Sequence, residues 1–216
     1  MKKYELTAEF IEQWGKKLFR IKALISFGSV EAGELGGYVE KEDNLAQDGD
    51  AWVCDDARVC DDARVYGNAR VYGDAEVYGN AEVYGNAWVC GNAWVYGNAR
   101  VCDDAEVYGN AWVYGNAEVY GDARVCGDAR VYGNADYLLI GRIGSRFSFT
   151  TFFKNKDKGI TVSCGCFLGT IAEFRAKVSD THGNNKHAKI YNLAADMAEL
   201  QILGEEHFDK LNTNKS

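Results

Sequence analysis

From Ala51 to Asn134 the chain alternates with a period of two inside a period of six. Each unit reads Ala, a variable residue, Val, then Tyr or Cys, and closes with Gly-Asn, Gly-Asp or Asp-Asp. Fourteen such hexads follow one another without an insertion. In an extended segment, Ala and Val fall on one side and the variable residue and Tyr or Cys on the other. The closing pair supplies a corner, because Gly, Asn and Asp tolerate left-handed backbone angles. A short strand and a fixed corner, repeated, predict parallel strands wound about an axis as a β-solenoid.

Units such as Val65-Tyr66-Gly67-Asn68-Ala69-Arg70 resemble the hexapeptide repeat of left-handed parallel β-helix proteins, in which three hexads make one triangular coil. The left hand and the three-sided section are what the resemblance implies. The frame also reaches past the perfect units. Ala135, Tyr137, Gly141 and Ile143 fall on it, as do Val39 and Leu45, with two extra residues before Val53. About five coils are expected, each adding roughly 4.8 Å.

Open strand ends of a solenoid need covering. Residues 1–50 are expected to form an N-terminal cap. A helix from Thr7 to about Phe19 is predicted, with Phe10, Ile11, Trp14 and Leu18 on one side, followed by short strands. The segment from Gly33 to Glu40, with Glu42, Asn44 and Leu45, is similar to the lead-in of uncharacterised bacterial and phage hexapeptide-repeat proteins. Those proteins carry loose labels such as transferase or polymer-forming protein, which describe the repeat alone. After a β-helix over 51–143, residues 144–216 read as a small α/β domain. It comprises a hairpin around Asn155–Gly159, a helix opened by the Thr170/Glu173 capping box, and a second helix from Lys186 to about Leu203.

Eighteen residues per coil would stack every hexad on the third one after it. One face then carries Trp52, Arg70, Trp88, Glu106 and Arg124, an arrangement suited to cation–π stacking of Arg70. Another carries Arg64, Glu82, Arg100, Glu118 and Asp136, a ladder of alternating sign. The remaining face sets Trp94 over Trp112 beside Tyr96, Tyr114 and Tyr132, flanked by Arg58 and Arg130. These seven residues are the candidate binding surface. Their rings together exceed the apolar patch usual on a monomer. The expectation is a self-associating scaffold, a trimer or dimer, or one that binds a partner. The alternative is a phage-encoded inhibitor that sequesters a host protein or a small anionic ligand, with the two arginines supplying anion contacts.

Composition narrows the chemistry. No histidine precedes His182, so the repeat lacks the histidines that the resembling acyltransferases and γ-class carbonic anhydrases use, and no enzyme activity and no cofactor are expected. No Ser or Thr lies between Ser29 and Ser145, which excludes a Thr-row ice-binding face. A weak zinc candidate remains in Cys164, Cys166, His182 and His187, together with the alternative of an enzyme site in the C-terminal domain. The acid pairs at three corners could attract calcium, but the corner itself explains them. Formal charge is −8, and −7 of it lies on the hexads (6 Arg, 13 acidic), which argues against nucleic-acid binding. Seven cysteines, with those of the repeat spaced beyond bridging distance, point to free thiols in the cytoplasm. No apolar run long enough to span a membrane and no signal-like start is present.

Overall fold

The computed structural model describes residues 2–205. The N-terminal segment is not a helix. Strands β1 (Tyr4–Gln13) and β2 (Lys16–Ala23) form an antiparallel hairpin, and β2 pairs in turn with β3 (Leu35–Val39). The hairpin loop is Trp14-Gly15, with φ of 53° and 77°, the two positive angles that match the twist of tight hairpins. The apolar spacing that suggested a helix is overridden because the solenoid end offers β3 as a ladder partner. Strand pairing there closes an edge that a helix could not hydrogen-bond.

Each hexad contributes one two-residue strand, the variable residue and its Val, from β4 (Trp52–Val53) to β17 (Arg130–Val131). All pairings are parallel and eighteen residues apart, as in Trp52↔Arg70, Arg58↔Glu76 and Arg64↔Glu82. Three strands per coil thus build three sheets. β4, β7, β10, β13 and β16 form the first, β5, β8, β11, β14 and β17 the second, and β6, β9, β12 and β15 the third. β3 joins the second sheet through Val39↔Val59, while Leu45 bridges Val65. Both spacings are twenty, the expected two-residue insertion. The fourteen hexad Ala and fourteen hexad Val residues are completely buried.

At the corners the residue after Tyr or Cys takes positive φ, in Asp55, Asp61 and Asp103 as well as in every corner glycine but Gly133 of the last hexad. Close approach also fixes composition before the repeat. A side chain on Gly37 would come within 2.5 Å of the Ala57 carbonyl, so β3 can lie against the first coil only with glycine there.

The hexad frame ends at Tyr137. Its side chain is buried against the last coil and its hydroxyl donates to the Glu118 carbonyl at 2.6 Å. Gly141 and Ile143, expected on the next coil, lie instead in β18 (Tyr137–Ile143), which pairs antiparallel with β19 (Ser148–Lys154). β20 (Ile160–Cys164) and β21 (Phe167–Thr170) complete a four-stranded sheet. On it pack α1 (Ile171–His182) and α2 (Lys186–Leu203). Asn155 bridges Ala129, and the Lys156 N–H donates to the Asp128 carbonyl, so the tip of the β19–β20 hairpin covers the end of the second sheet.

Candidate functional site

The second sheet presents two outward columns. Tyr38, Arg58, Glu76, Trp94, Trp112 and Arg130 form one in strict register. Beside them run Cys60, Tyr78, Tyr96, Tyr114 and Tyr132, the residue after Val in each hexad. In-register parallel strands place like side chains one above the next, which favours stacking over edge contact. Trp94 and Trp112 stack at 5.1 Å between centroids and 4° between planes. Tyr78 and Tyr96 stack at 4.8 Å, and Tyr96 and Tyr114 at 5.1 Å. Tyr132, with no coil beyond it, turns edge-on to Tyr114 and is 60% exposed. At the other end the hairpin loop delivers Trp14 edge-on to Tyr78 at 5.0 Å, leaving Trp14 57% exposed. Trp14 belongs to this surface although its sequence spacing had placed it in a helix. The signal was the Trp14-Gly15 pair, a hairpin loop in disguise.

The predicted aromatic residues therefore come together, and each of the two arginines has a partner on the same face. Arg58 donates to Glu76 at 3.0 Å, and Glu76 is buried. Arg130 lies over the Trp112 ring, 4.1 Å from its centroid, and donates to the carbonyls of Asn110 and Ala129. Each guanidinium is engaged on the face itself, Arg58 by a carboxylate and Arg130 by a ring and two carbonyls, so the charge of Arg130 remains beside the aromatic columns. Burial pushes the Tyr78 and Tyr96 phenols above their ordinary range, keeping them protonated.

Trp52 is wholly buried, held edge-on by Tyr4 and Phe27 beneath the N-terminal cap. The expected stacking of Arg70 between Trp52 and Trp88 is absent among the described residues, where Tyr4 and Phe27 of the cap cover the Trp52 ring. On the third sheet Arg100 bridges Glu82 at 3.4 Å and Glu118 at 3.5 Å. Asp136 leaves that ladder and pairs with Lys154 at 2.9 Å. The corner acids are used within the fold. Asp55, Asp61 and Asp103 accept the N–H of Gly73, Gly79 and Gly121, one coil on, each at 3.1 Å.

The zinc candidates do not assemble. His182 ends α1 and His187 begins α2, their rings 5.8 Å apart, and His182 stacks on Tyr191. Cys164 Sγ accepts the Thr150 hydroxyl at 3.1 Å, while Cys166 is exposed. Among the described residues the one group of three metal-ligand types within reach is Glu40, Cys60 and Asp61. The Lys16 ammonium already pairs with both of its carboxylates. All seven cysteines are free, and burial pushes Cys54 up to about 11 and Cys60 up to about 12.

Residues 57–73, 63–77, 99–115 and 123–135 match the family model described as the YdcK β-solenoid repeat. These stretches support a β-solenoid repeat protein. No curated protein matches the chain.

Proposed function

We propose that this β-solenoid repeat protein is a non-enzymatic scaffold that self-associates, as a dimer or trimer, or holds a protein partner through its second face. The observation that carries the reading is the Trp94–Trp112 stack, set in an unbroken aromatic strip from Trp14 to Tyr132. Such a strip has few charges, and large rigid rings dominate protein interfaces. The free thiols support a reducing compartment such as the cytoplasm. No helix among the described residues is long and apolar enough to cross a membrane.

The same rings stabilise the coils, so the test must separate the two roles. Light scattering of Trp94→Ala with Trp112→Ala should show a loss of oligomeric mass while the circular dichroism of the rod persists. A lower melting temperature at unchanged mass would reduce the stack to internal support. A second apolar strip runs along the exposed side of α2 through Ile190, Leu193, Met197 and Leu200. Leu193→Asp should leave the mass unchanged, and dissociation by this variant would relocate the interface to the C-terminal domain.

A further inference from the structure

The C-terminal domain contains a cleft that neither the aromatic face nor the cap explains. It has a volume of about 220 Å³ and opens between the β20–β21 turn and α1. Its apolar wall consists of Phe167, Phe174 and Val178, with the Tyr191 ring beside them. Arg146, Lys177 and His182 stand at its edge, and not one lining residue is acidic. In a chain of formal charge −8 this is a local inversion of sign.

These three side chains are also uncommitted. Among the described residues Arg146, Lys177 and His182 make no ion pair, whereas Arg175, on the same helix α1, is held by Asp196 and Glu199 at 2.7 Å. The positions follow from the backbone. Gly165 takes φ of +60° in the β20–β21 turn, and a side chain there would meet the Arg146 guanidinium at 3.7 Å, so Arg146 lies along the turn at the mouth. Gly144 has no room for any side chain because the Tyr191 hydroxyl occupies that space, which fixes the phenol as one wall. Lys177 and Thr181, four residues apart on α1, share the helix face that borders the opening.

We propose that this cleft binds a small amphipathic anion, one apolar ring or short acyl body bearing a single carboxylate. The body would lie on Phe167, Phe174 and Val178, and the carboxylate would face Arg146 and Lys177. An apolar pocket with a few convergent polar groups is the ordinary form of a small-molecule site. The planar guanidinium suits a carboxylate by paired hydrogen bonds.

Three probes with the same ring and different charge test this on the full chain: para-fluorobenzoate, para-fluorobenzyl alcohol and para-fluorobenzylamine, followed by fluorine NMR line broadening. The benzoate should bind at least about tenfold more tightly than the alcohol, and the amine least. Arg146→Ala with Lys177→Ala should remove that preference. Both side chains are exposed, so the fold should persist, as checked by an unchanged melting temperature. Thr181→Trp, which keeps Arg146, Lys177 and His182 and fills the mouth, should abolish binding of every probe. Equal affinity for benzoate and alcohol, unchanged benzoate binding in either variant, or no broadening at about 10 mM probe would overturn the proposal.

Discussion

The carboxylate of Asp103 accepts the Gly121 N–H across one coil, at 3.1 Å, while Asp103 itself holds φ of +59°. Left-handed angles cost a non-glycine residue about 1–2 kcal/mol, and this hydrogen bond offsets the cost where glycine is replaced. Asp103→Ala keeps the strain and removes the acceptor, so a loss of about 2 kcal/mol is expected. Asp103→Gly removes both and should be nearly neutral. Urea unfolding of the pair distinguishes them, and equal losses would deny any strain at the corner.

Replacing Gly37 with Ala should unseat the N-terminal cap. The added carbon would lie 2.5 Å from the Ala57 carbonyl and 2.9 Å from a Val53 methyl, both in the first coil and unable to yield singly. Overpacking of this kind costs about 1–3 kcal/mol. Hydrogen exchange should accelerate in β2 and β3 and remain slow in the later coils. Protection retained in β3 would mean that the coil can shift to admit the methyl.

The Lys16 ammonium, and then the Gly79 N–H, hold the Asp61 carboxyl below the usual carboxylate range. With the folded value below the unfolded one, the stabilisation is complete at neutral pH and is lost as pH falls through the folded value. Lys16→Ala removes the larger cause. Its melting temperature should therefore depend less steeply on pH than that of the native chain below about pH 4. The side chains are partly solvated, so the effect should also shrink in high salt. Parallel acid limbs in the two proteins would contradict the pairing.

Thiol labelling should be sharply ordered. Cys166 is exposed, whereas Cys54 and Cys60 are held protonated by burial. Brief alkylation at neutral pH, read by peptide mass spectrometry, should modify Cys166 first and reach Cys60 only in denaturant, because the thiolate is the reactive form. Early modification of Cys60 would show that the first coil opens readily.

The repeat was legible because its chemistry is local. Val at the third position of every hexad, with Gly or Asp at the corner, leaves one way to bury the methyls, and the two-residue offset of Val39 and Leu45 was already visible in their spacing. What escaped depended on neighbours distant in sequence. Phe10, Ile11, Trp14 and Leu18 satisfy a helical period, yet the strand edge at Leu35–Val39 recruits that segment as sheet. Gly141 and Ile143 keep the hexad frame, yet β18 runs antiparallel to β19, with Ile143 opposite Ser148 and Gly141 in the irregularity before it. For Arg58 the information was present, since Glu76 stands eighteen residues later in the same column and takes its charge. Trp94 over Trp112 followed from the column spacing alone, whereas the contribution of Trp14 required the hairpin.

Strict eighteen-residue pairing makes the length of this rod a quantised property. Excising one hexad would rotate everything downstream by a third of a turn, delivering Tyr137 to the wrong sheet and misaligning the terminal seal. Excising three would shorten the axis by one repeat and return both lids to their seats. Gene duplication or deletion can therefore tune its reach in whole steps, as the notches of a ruler set its readings, without redesigning either end.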